Sequence, residues 1–179
     1  EYRGGPHLTD QPRQAMVLDF CGLTVDEART GYPKSYELVL TRVKPEREGN
    51  RDAQFRERWW LFGRTRPDLR AMINGAERFI ATTEVAKHRF FQFLDAEILL
   101  DHSSIAFGLD DAFHLGVLSS RIHVTYSVAA GGRMGVGNDP RYNKSRCFDP
   151  FPFPDCTEKQ KEKIRALAEE LDAHRKRAQ

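Results

Sequence analysis

The 179-residue sequence has no long apolar run, only three cysteines and few lysines. A membrane-spanning helix needs about 20 consecutive apolar residues, so we predict neither a membrane protein nor a membrane partner. The cysteines Cys21, Cys147 and Cys156 are scattered, and the N-terminal residues do not resemble a signal peptide. Few, unclustered thiols favour a reducing compartment over a disulfide scaffold. We therefore predict a cytoplasmic protein of bacterial type.

Motifs for metal binding and cofactor binding are also missing. The sequence contains no Cys-x-x-Cys, His-x-x-x-His or His-Glu-x-x-His spacing, so no metal site is predicted. Its Gly-x-Gly motif, Gly135-Val136-Gly137, follows a predicted helix, whereas a methyl-donor or dinucleotide loop follows a strand. The carboxylates are dispersed, unlike those of a metal-dependent nuclease. We predict no catalytic residue and no cofactor in this chain.

Arginine is the abundant basic residue, with 20 arginines and 8 lysines at a net charge of +2. Guanidinium groups bind phosphate and guanine in a planar, bidentate manner, and Asn amides bind adenine. Residues 133–146 are rich in Gly, Asn, Arg and Lys, although a solvated charged loop is an alternative interpretation of that composition. The candidate base-reading residues are Arg133, Asn138, Asp139, Arg141, Asn143, Lys144 and Arg146.

Other basic side chains are candidates for contacts to the phosphate backbone of a nucleic acid. Arg64 and Arg66 follow the Trp59-Trp60 pair, although such aromatics are more often buried in a core. A second cluster lies at the predicted start of a strand, where phosphate contact and plain solvation explain it equally well. The phosphate-positioning candidates are Arg64, Arg66, Lys87, His88, Arg89, Ser120 and Arg121.

Hydrophobic periodicity predicts an α+β fold with a mixed, mainly antiparallel sheet and flanking helices. Strands are predicted at residues 15–20, 78–82, 88–94 and 105–109. One helix is predicted from the Asp110-Asp111 cap to Ala129, and a long Gly/Arg/Asn loop follows it.

The last predicted element is a C-terminal helix. Thr157 and Gln160 stand at its start in the spacing of a capping box. The helix has one narrow apolar stripe, which requires a partner surface. We divide the chain into a recognition domain at residues 1–154 and a helix at 155–179 that packs on it or on the rest of a longer enzyme.

Several segments together resemble one protein family. The segments are Val43-Lys44-Pro45-Glu46-Arg47, Trp59-Trp60-Leu61-Phe62-Gly63, Arg78-Phe79-Ile80-Ala81-Thr82, Ala86-Lys87-His88-Arg89, His114-Leu115-Gly116-Val117-Leu118-Ser119-Ser120-Arg121-Ile122-His123 and Cys147-Phe148-Asp149-Pro150-Phe151-Pro152-Phe153-Pro154. Together they are similar to the target-recognition region of MmeI-like restriction-modification enzymes, and the resemblance runs essentially from end to end.

The resemblance implies one long polypeptide with an endonuclease domain, an adenine-N6 methyltransferase domain and this region, which selects the DNA site for both. Whether this member retains an endonuclease domain stays open. S-adenosylmethionine is then the cofactor of the full-length enzyme, and double-stranded DNA and the methyltransferase domain of the same polypeptide are the partners. The resemblance also implies that residues 133–146 carry base-reading positions and that the turn His102-Ser103-Ser104 faces DNA.

Two other interpretations belong to different functional classes. One is a stand-alone small hydrolase or nuclease built around Asp111, His114 and Cys147. The other is a protein-interaction module that binds a partner peptide through Trp59, Trp60 and Phe151.

Overall fold

The computed structural model describes residues 1–9 and 15–178, in two compact units. The first unit comprises Glu1–Ala15 and Leu69–Gln179, and the second comprises Met16–Asp68. In chain order the elements are β1 (Tyr2–Arg3), α1 (Pro6–Thr9), α2 (Val25–Gly31), α3 (Pro33–Arg42), α4 (Lys44–Glu48), α5 (Ala53–Glu57), α6 (Pro67–Ile73), β2 (Arg78–Thr83), β3 (Gln92–Asp95), β4 (Leu99–Leu100), β5 (Ser104–Phe107), α7 (Ala112–Ser119), α8 (Arg121–Ala130), β6 (Gly132–Met134), β7 (Asp139–Arg141), a π-helical turn (Lys144–Phe148) and α9 (Glu158–Ala178).

Helices α2 to α5 form the second unit. A capping box starts α2, because the Thr24 hydroxyl accepts from the backbone N–H of Glu27 at 3.3 Å and the Glu27 carboxylate accepts from the N–H of Thr24 at 2.7 Å. The small core of the unit contains Phe20, Val39 and the buried Trp59. Within the described part of the chain, no helix combines the length and apolar character needed to cross a bilayer.

The first unit is built on a three-stranded antiparallel sheet with strand order β3-β2-β5. Strand β2 is central and almost wholly buried, with Ile80 opposite both Phe93 and Phe107. Strands β1 and β4 form a parallel pair, and β6 and β7 form an antiparallel hairpin. The predicted α+β fold and the strands predicted at residues 78–82 and 105–109 are confirmed. The strand predicted at 88–94 is shorter, because β3 begins at Gln92, and the strand predicted at residues 15–20 is wrong, since these residues form no strand.

The predicted helix after Asp111 is two helices. The backbone of Ser120 is extended, at φ −64° and ψ 150°, and its hydroxyl accepts from the N–H of His123 at 3.2 Å. Ser120 therefore ends α7 and caps α8, a role that serine performs well because its hydroxyl satisfies an otherwise unpaired N–H. The uninterrupted helix predicted from the apolar spacing is wrong at this residue.

Helix α9 packs on α7 in the first unit. A Cβ on Gly116 of α7 would lie 2.5 Å from a methyl carbon of Ile164, so glycine is what permits this close approach. An ion pair also stabilises the contact, since Arg165 donates two hydrogen bonds of 2.9 Å to the Asp111 carboxylate. Half of the capping box predicted at Thr157 is confirmed, because the Gln160 side chain accepts from the N–H of Thr157 at 2.9 Å. The Thr157 hydroxyl donates to the same Gln160 oxygen, at 2.9 Å, and does not complete the box. The division of the chain at residue 154 stays a prediction.

Residues 133–146 are not the long loop that their composition predicted. Most of the segment belongs to the β6–β7 hairpin, in which Met134 is opposite Asp139, and the remainder enters the π-helical turn. The connection between the strands contains Gly135 and Asn138 at φ values of 80° and 51°, which glycine and asparagine tolerate best. The strands are three residues long, too short to produce a visible alternation in the sequence.

Candidate functional site

The hairpin is joined to the end of β2 by backbone hydrogen bonds. The N–H of Ala86 donates to the carbonyl of Pro140 at 3.2 Å, and the N–H of Tyr142 donates to the carbonyl of Glu84 at 2.8 Å. An ion pair reinforces this junction, with Arg141 Nη2 lying 2.6 Å from Glu84 Oε1. We call residues 84–86 and 140–142 the hairpin root. These contacts fix the hairpin relative to the central sheet.

The Arg89 side chain binds backbone carbonyls at the hairpin root. Its guanidinium donates to the carbonyls of Thr83, Glu84 (3.3 Å) and Pro140 (3.1 Å), and it lies 5.3 Å from the ring centroid of Tyr142. Burial lowers the pKa of this guanidinium below its ordinary value, although arginine remains charged near neutral pH. Its N–H donors are therefore directed at internal acceptors rather than at the surface where phosphate would bind.

Tyr142 anchors the chain just beyond β7. It is 2% exposed, packs edge-on against Phe91 and Phe107, and its hydroxyl lies 3.0 Å from His123 Nε2. Burial, with a smaller contribution from the Arg89 charge, lowers the pKa of His123 to about 4. Burial also raises the pKa of Tyr142 above its ordinary value. Both rings are therefore uncharged at neutral pH, as the apolar surroundings require.

The outer part of the hairpin is exposed. Arg133 extends into solvent and donates one hydrogen bond, of 3.2 Å, to the carbonyl of Asn138. Within residues 1–9 and 15–178, neither Arg133 nor the exposed Arg146 of the π-helical turn has an acidic partner. Asn138 is exposed as well, and Asp139 is partly exposed at the start of β7. These side chains retain polar groups that can bind a ligand.

Three other base-reading candidates have partners inside the chain. Arg141 pairs with Glu84 in the root, and Lys144 pairs with Asp149 at 2.9 Å. The side-chain oxygen of Asn143 accepts from the N–H of Gly132 at 3.2 Å and so closes the base of the hairpin. Their present contacts shape the hairpin and the turn that follows it.

A groove of about 560 Å³ lies beside the hairpin root. It brings together Lys87 and His102, which are distant in sequence and both exposed, with Met134 of β6 on its wall. Ser103 also lines it, but the Ser103 hydroxyl accepts from the N–H of Gly5 at 2.8 Å and donates to Asp101 at 2.6 Å. Ser104 likewise bonds Asp101, at 3.3 Å. The predicted turn at 102–104 thus contributes mainly His102 to the groove surface.

The remaining phosphate-positioning candidates are spread over the chain. His88 is exposed beside Lys87, and Arg121 is exposed at the first residue of α8, where Ser120 serves as the cap. Arg64 and Arg66 are exposed in the second unit, where Arg66 lies 3.9 Å from Asp68. The structure thus brings Lys87 and His102 together in one groove, and His88 follows Lys87 in the chain.

The residues of the hydrolase interpretation have structural partners. Asp111 caps α7 and binds Arg165, and that hydrogen bond lowers the pKa of Asp111 to about 2. The His114 ring packs against Phe153, with centroids 5.9 Å apart, while Cys147 is buried in the main core. Across the described ranges, no three His, Cys, Asp or Glu side chains are grouped so as to hold a metal ion. The contacts of these three residues are thus those of a helix cap, an aromatic packing partner and a core residue.

The aromatic residues of the interaction-module interpretation belong to cores. Trp59 is 9% exposed, and the Trp60 ring N–H donates to the carbonyl of Leu23 at 3.0 Å. Phe151 is 8% exposed and packs against Phe113 and Val117. These side chains stabilise the two units, as large buried aromatics do.

Sequence reasoning missed two features of this region. Glu84, the ion-pair partner of Arg141, lies 57 positions away in sequence, and nothing local indicates the pair. The apolar side chains of Met134 and Val136 are exposed on the hairpin. The sequence does contain a signal for this exposure, because these two apolar residues stand in a segment that is otherwise rich in glycine, asparagine and arginine.

The family model for the target recognition domain of MmeI matches residues 40–155 of this chain. The chain belongs to the MmeI target recognition domain family. The matched residues of the family include the β6–β7 hairpin, the π-helical turn, Lys87 and His102, whereas α9 lies beyond them. The resemblance seen in the sequence is confirmed.

Two relatives of this target recognition domain are much longer than the chain. A stretch of 73 residues is 36% identical to DNA methyltransferase A of Bacillus subtilis (strain 168), covering 39% of this chain and 8% of that protein. The fold is similar to that of the type IIL restriction-modification enzyme MmeI, solved in complex with DNA, with a TM-score of 0.73 and 20% identity over 93% of this chain and 22% of that one. At that identity the second match establishes the fold.

Proposed function

We propose that this chain recognises a short DNA sequence by inserting the β6–β7 hairpin and the π-helical turn into the major groove. One observation carries the proposal: Arg133 and Asn138 are exposed with polar groups available on a hairpin whose root is fixed to the sheet, and Arg146 is exposed on the π-helical turn that follows it. The major groove of B-DNA, about 12 Å wide, admits a two-stranded β-ribbon. The domain is thus a rigid support for a small reading surface.

The chemistry of the exposed side chains suits the edges of bases. A guanidinium binds O6 and N7 of guanine in a bidentate manner, and an Asn amide does the same with N6 and N7 of adenine. Asp139 offers an acceptor for the amino group of cytosine. In this proposal Arg141, Asn143 and Lys144 remain candidate base contacts, and their internal bonds orient the segment before DNA binds.

The groove beside the root supports a role in holding the DNA backbone. Lys87 and His102 are exposed there, His88 is exposed next to Lys87, and a phosphate needs only one or two such donors. Arg121, Arg64 and Arg66 are further exposed cations for phosphate. Ser120 and Arg89, by contrast, act in the proposal as residues that hold α8 and the hairpin root in place. Phosphate contacts supply affinity without sequence preference.

We propose that the domain acts within a longer polypeptide that methylates adenine at N6, with or without an endonuclease domain. Family membership and the likeness to a bacterial DNA methyltransferase support this, as does the small share of each relative that the chain spans. S-adenosylmethionine would be bound by the methyltransferase domain, and this chain would direct that domain to its site. The cytoplasm, where bacterial DNA lies, is the expected location.

The test is selection of DNA by the full polypeptide that contains this region. The polypeptide is mixed with random duplexes at low salt, bound molecules are sequenced, and binding is repeated over a salt series. We expect one short motif to be enriched, and log Kobs to fall with log salt by about 0.9 for each phosphate contacted.

A matched pair of variants sharpens this test. Replacing Arg133 and Arg146 together by Ala should abolish enrichment while S-adenosylmethionine binding is retained. The control replaces Lys159 and Lys163 of α9 by Ala, which removes the same charge elsewhere. Equal loss of enrichment in both variants, or loss of methyl-donor binding in the first, would contradict the proposal.

A further inference from the structure

The connection at the end of the hairpin, residues 135–138, presents an apolar side chain directly to solvent. Val136 is fully exposed, and Met134, one strand position before the connection, is 48% exposed and lines the groove of the root. An exposed valine gains nothing from burial within this chain, so its packing has no role in the fold.

The turn geometry does not require a valine either. Gly135 and Asn138 adopt positive φ and therefore account for the shape of the connection. A Cβ at Gly137 would lie 3.0 Å from the Asp139 carboxylate, so glycine is favoured there as well. Val136 is the member of the connection whose side chain has no part in shaping the turn.

The hairpin that carries Val136 is held at its root. The backbone bonds of the root, the Arg141–Glu84 ion pair and the buried Tyr142 hold the hairpin to the sheet. A β-branched side chain has few χ1 rotamers, so little rotational freedom is lost when it contacts a ligand. This connection, the tip of the hairpin, thus presents the apolar Val136 side chain between two exposed polar residues, Arg133 and Asn138.

We propose that Val136 contacts the 5-methyl group of a thymine in the major groove and thereby makes the domain prefer T·A at one position of its site. This inference rests on the proposed function, since it requires the hairpin to enter the major groove. The thymine methyl is the one apolar group that the four standard bases display there, and apolar side chains read it by contact. Arginine and asparagine beside it would read the neighbouring base pairs.

The experiment uses the enriched DNA site and the full polypeptide. Each thymine of the site is replaced in turn by deoxyuridine, which lacks the 5-methyl group and pairs with adenine in the same way, and Kd is measured for each duplex. Burial of one methyl group corresponds to about a fourfold change in Kd, so one replacement should weaken binding by about that factor. The Val136→Ala variant should bind the thymine duplex more weakly and should no longer distinguish it from the deoxyuridine duplex.

The control variant is Leu167→Ala, which shortens another exposed apolar side chain on α9. It should leave the thymine preference intact. The inference is overturned if the site contains no thymine, if every deoxyuridine duplex binds as tightly as the parent, or if Val136→Ala keeps the full preference. Each of those results leaves sequence-selective binding itself in place, whereas the absence of any enriched site would overturn the proposed function.

Discussion

The root and the tip of the β6–β7 hairpin differ in how their polar groups are used. At the root, Arg89 and Arg141 direct their guanidinium groups to carbonyls and to Glu84 within the chain. Near the tip, Arg133 and Asn138 are exposed. The same residue types thus serve support in one place and are available for recognition in the other.

The difference shows why residue type alone does not assign a role. A guanidinium that satisfies buried carbonyls stabilises the fold, because an unpaired buried acceptor costs about 1–3 kcal/mol. A guanidinium in solvent contributes little to stability and can be replaced to change specificity. Variants at the root should therefore affect unfolding, and variants near the tip should affect the choice of DNA sequence.

The largest effect is expected at Arg89. Replacing it by Met removes its hydrogen bonds to the carbonyls of Thr83, Glu84 and Pro140, of which the last two keep a backbone N–H donor. We expect the free energy of unfolding to fall by about 3 kcal/mol, because hydrogen bonds to a charged group contribute about 1.5–3 kcal/mol each and are not additive. Urea denaturation of the chain measures it.

The control for Arg89 is two residues away. Lys87→Met removes an exposed cation of similar length and should change stability by no more than about 0.5 kcal/mol. Similar stability losses for the two variants would show that the internal hydrogen bonds of Arg89 do not stabilise the hairpin root.

The buried His123 below the root should make stability depend on pH. Its pKa of about 4 lies below the ordinary 6.5, so the unfolded chain binds a proton between these values while the folded chain does not. The free energy of unfolding should be constant with respect to this group above pH 6.5 and should fall by at most about 1.4 kcal/mol per pH unit from 6.5 towards 4.

A second variant isolates the histidine from other acid-sensitive groups. His123→Gln retains a hydrogen-bonding group near the Tyr142 hydroxyl but does not titrate. The stability of this variant should decline less steeply than that of the parent between pH 6.5 and 4.5. Identical slopes in urea denaturation would contradict the assignment of a lowered pKa to His123.

Arg146 and Arg141 separate recognition from support. Arg146→Ala should reduce discrimination at one base pair by about 1–3 kcal/mol with unchanged unfolding. Arg141→Ala should also relax site choice, but it breaks the partly exposed ion pair with Glu84 and should cost up to about 1 kcal/mol of stability. Competition binding with single-base variants of the site, together with thermal unfolding, distinguishes the two.

Arg146→Lys is the matched control, because it retains the charge without the bidentate geometry. If it preserves full discrimination, the charge of residue 146 matters and its reading of a base edge does not. If Arg146→Ala lowers the unfolding temperature as much as Arg141→Ala does, the contrast between supporting and reading residues is wrong.

Local signals in the sequence predicted the parts of the fold that depend on neighbours in the chain. The strands around β2 followed from short apolar runs, and α9 followed from the Thr157-Gln160 capping box. The break between α7 and α8 was missed, because the apolar spacing continues through Ser120. A serine that caps a helix and a serine within one look alike when the pattern around them is unchanged.

The difference between polar residues with internal partners and exposed polar residues around the hairpin could not be predicted either, for another reason. Glu84 and Arg141 are separated by 57 positions, and Arg89 and Pro140 by 51. Pairings at such distances follow from strand packing, which periodicity does not specify. The sequence therefore indicated which segment is rich in candidate reading residues, and the structure distinguishes those with internal partners from those without.

The smallest effect is expected at Arg64, which tests whether phosphate contacts extend to the second unit. Arg64 is exposed there, and the structure shows no acidic partner for it among the described residues. Arg64→Ala should weaken binding to all DNA sequences alike, by less than about 1 kcal/mol, and should reduce the salt slope by about 0.9. The control, Arg29→Ala, removes an arginine of the same unit that already pairs with Asp26 at 2.8 Å, and it should change the slope less. A loss confined to the enriched site would instead assign Arg64 to base reading, and the second unit would then share the base-reading role proposed for the hairpin.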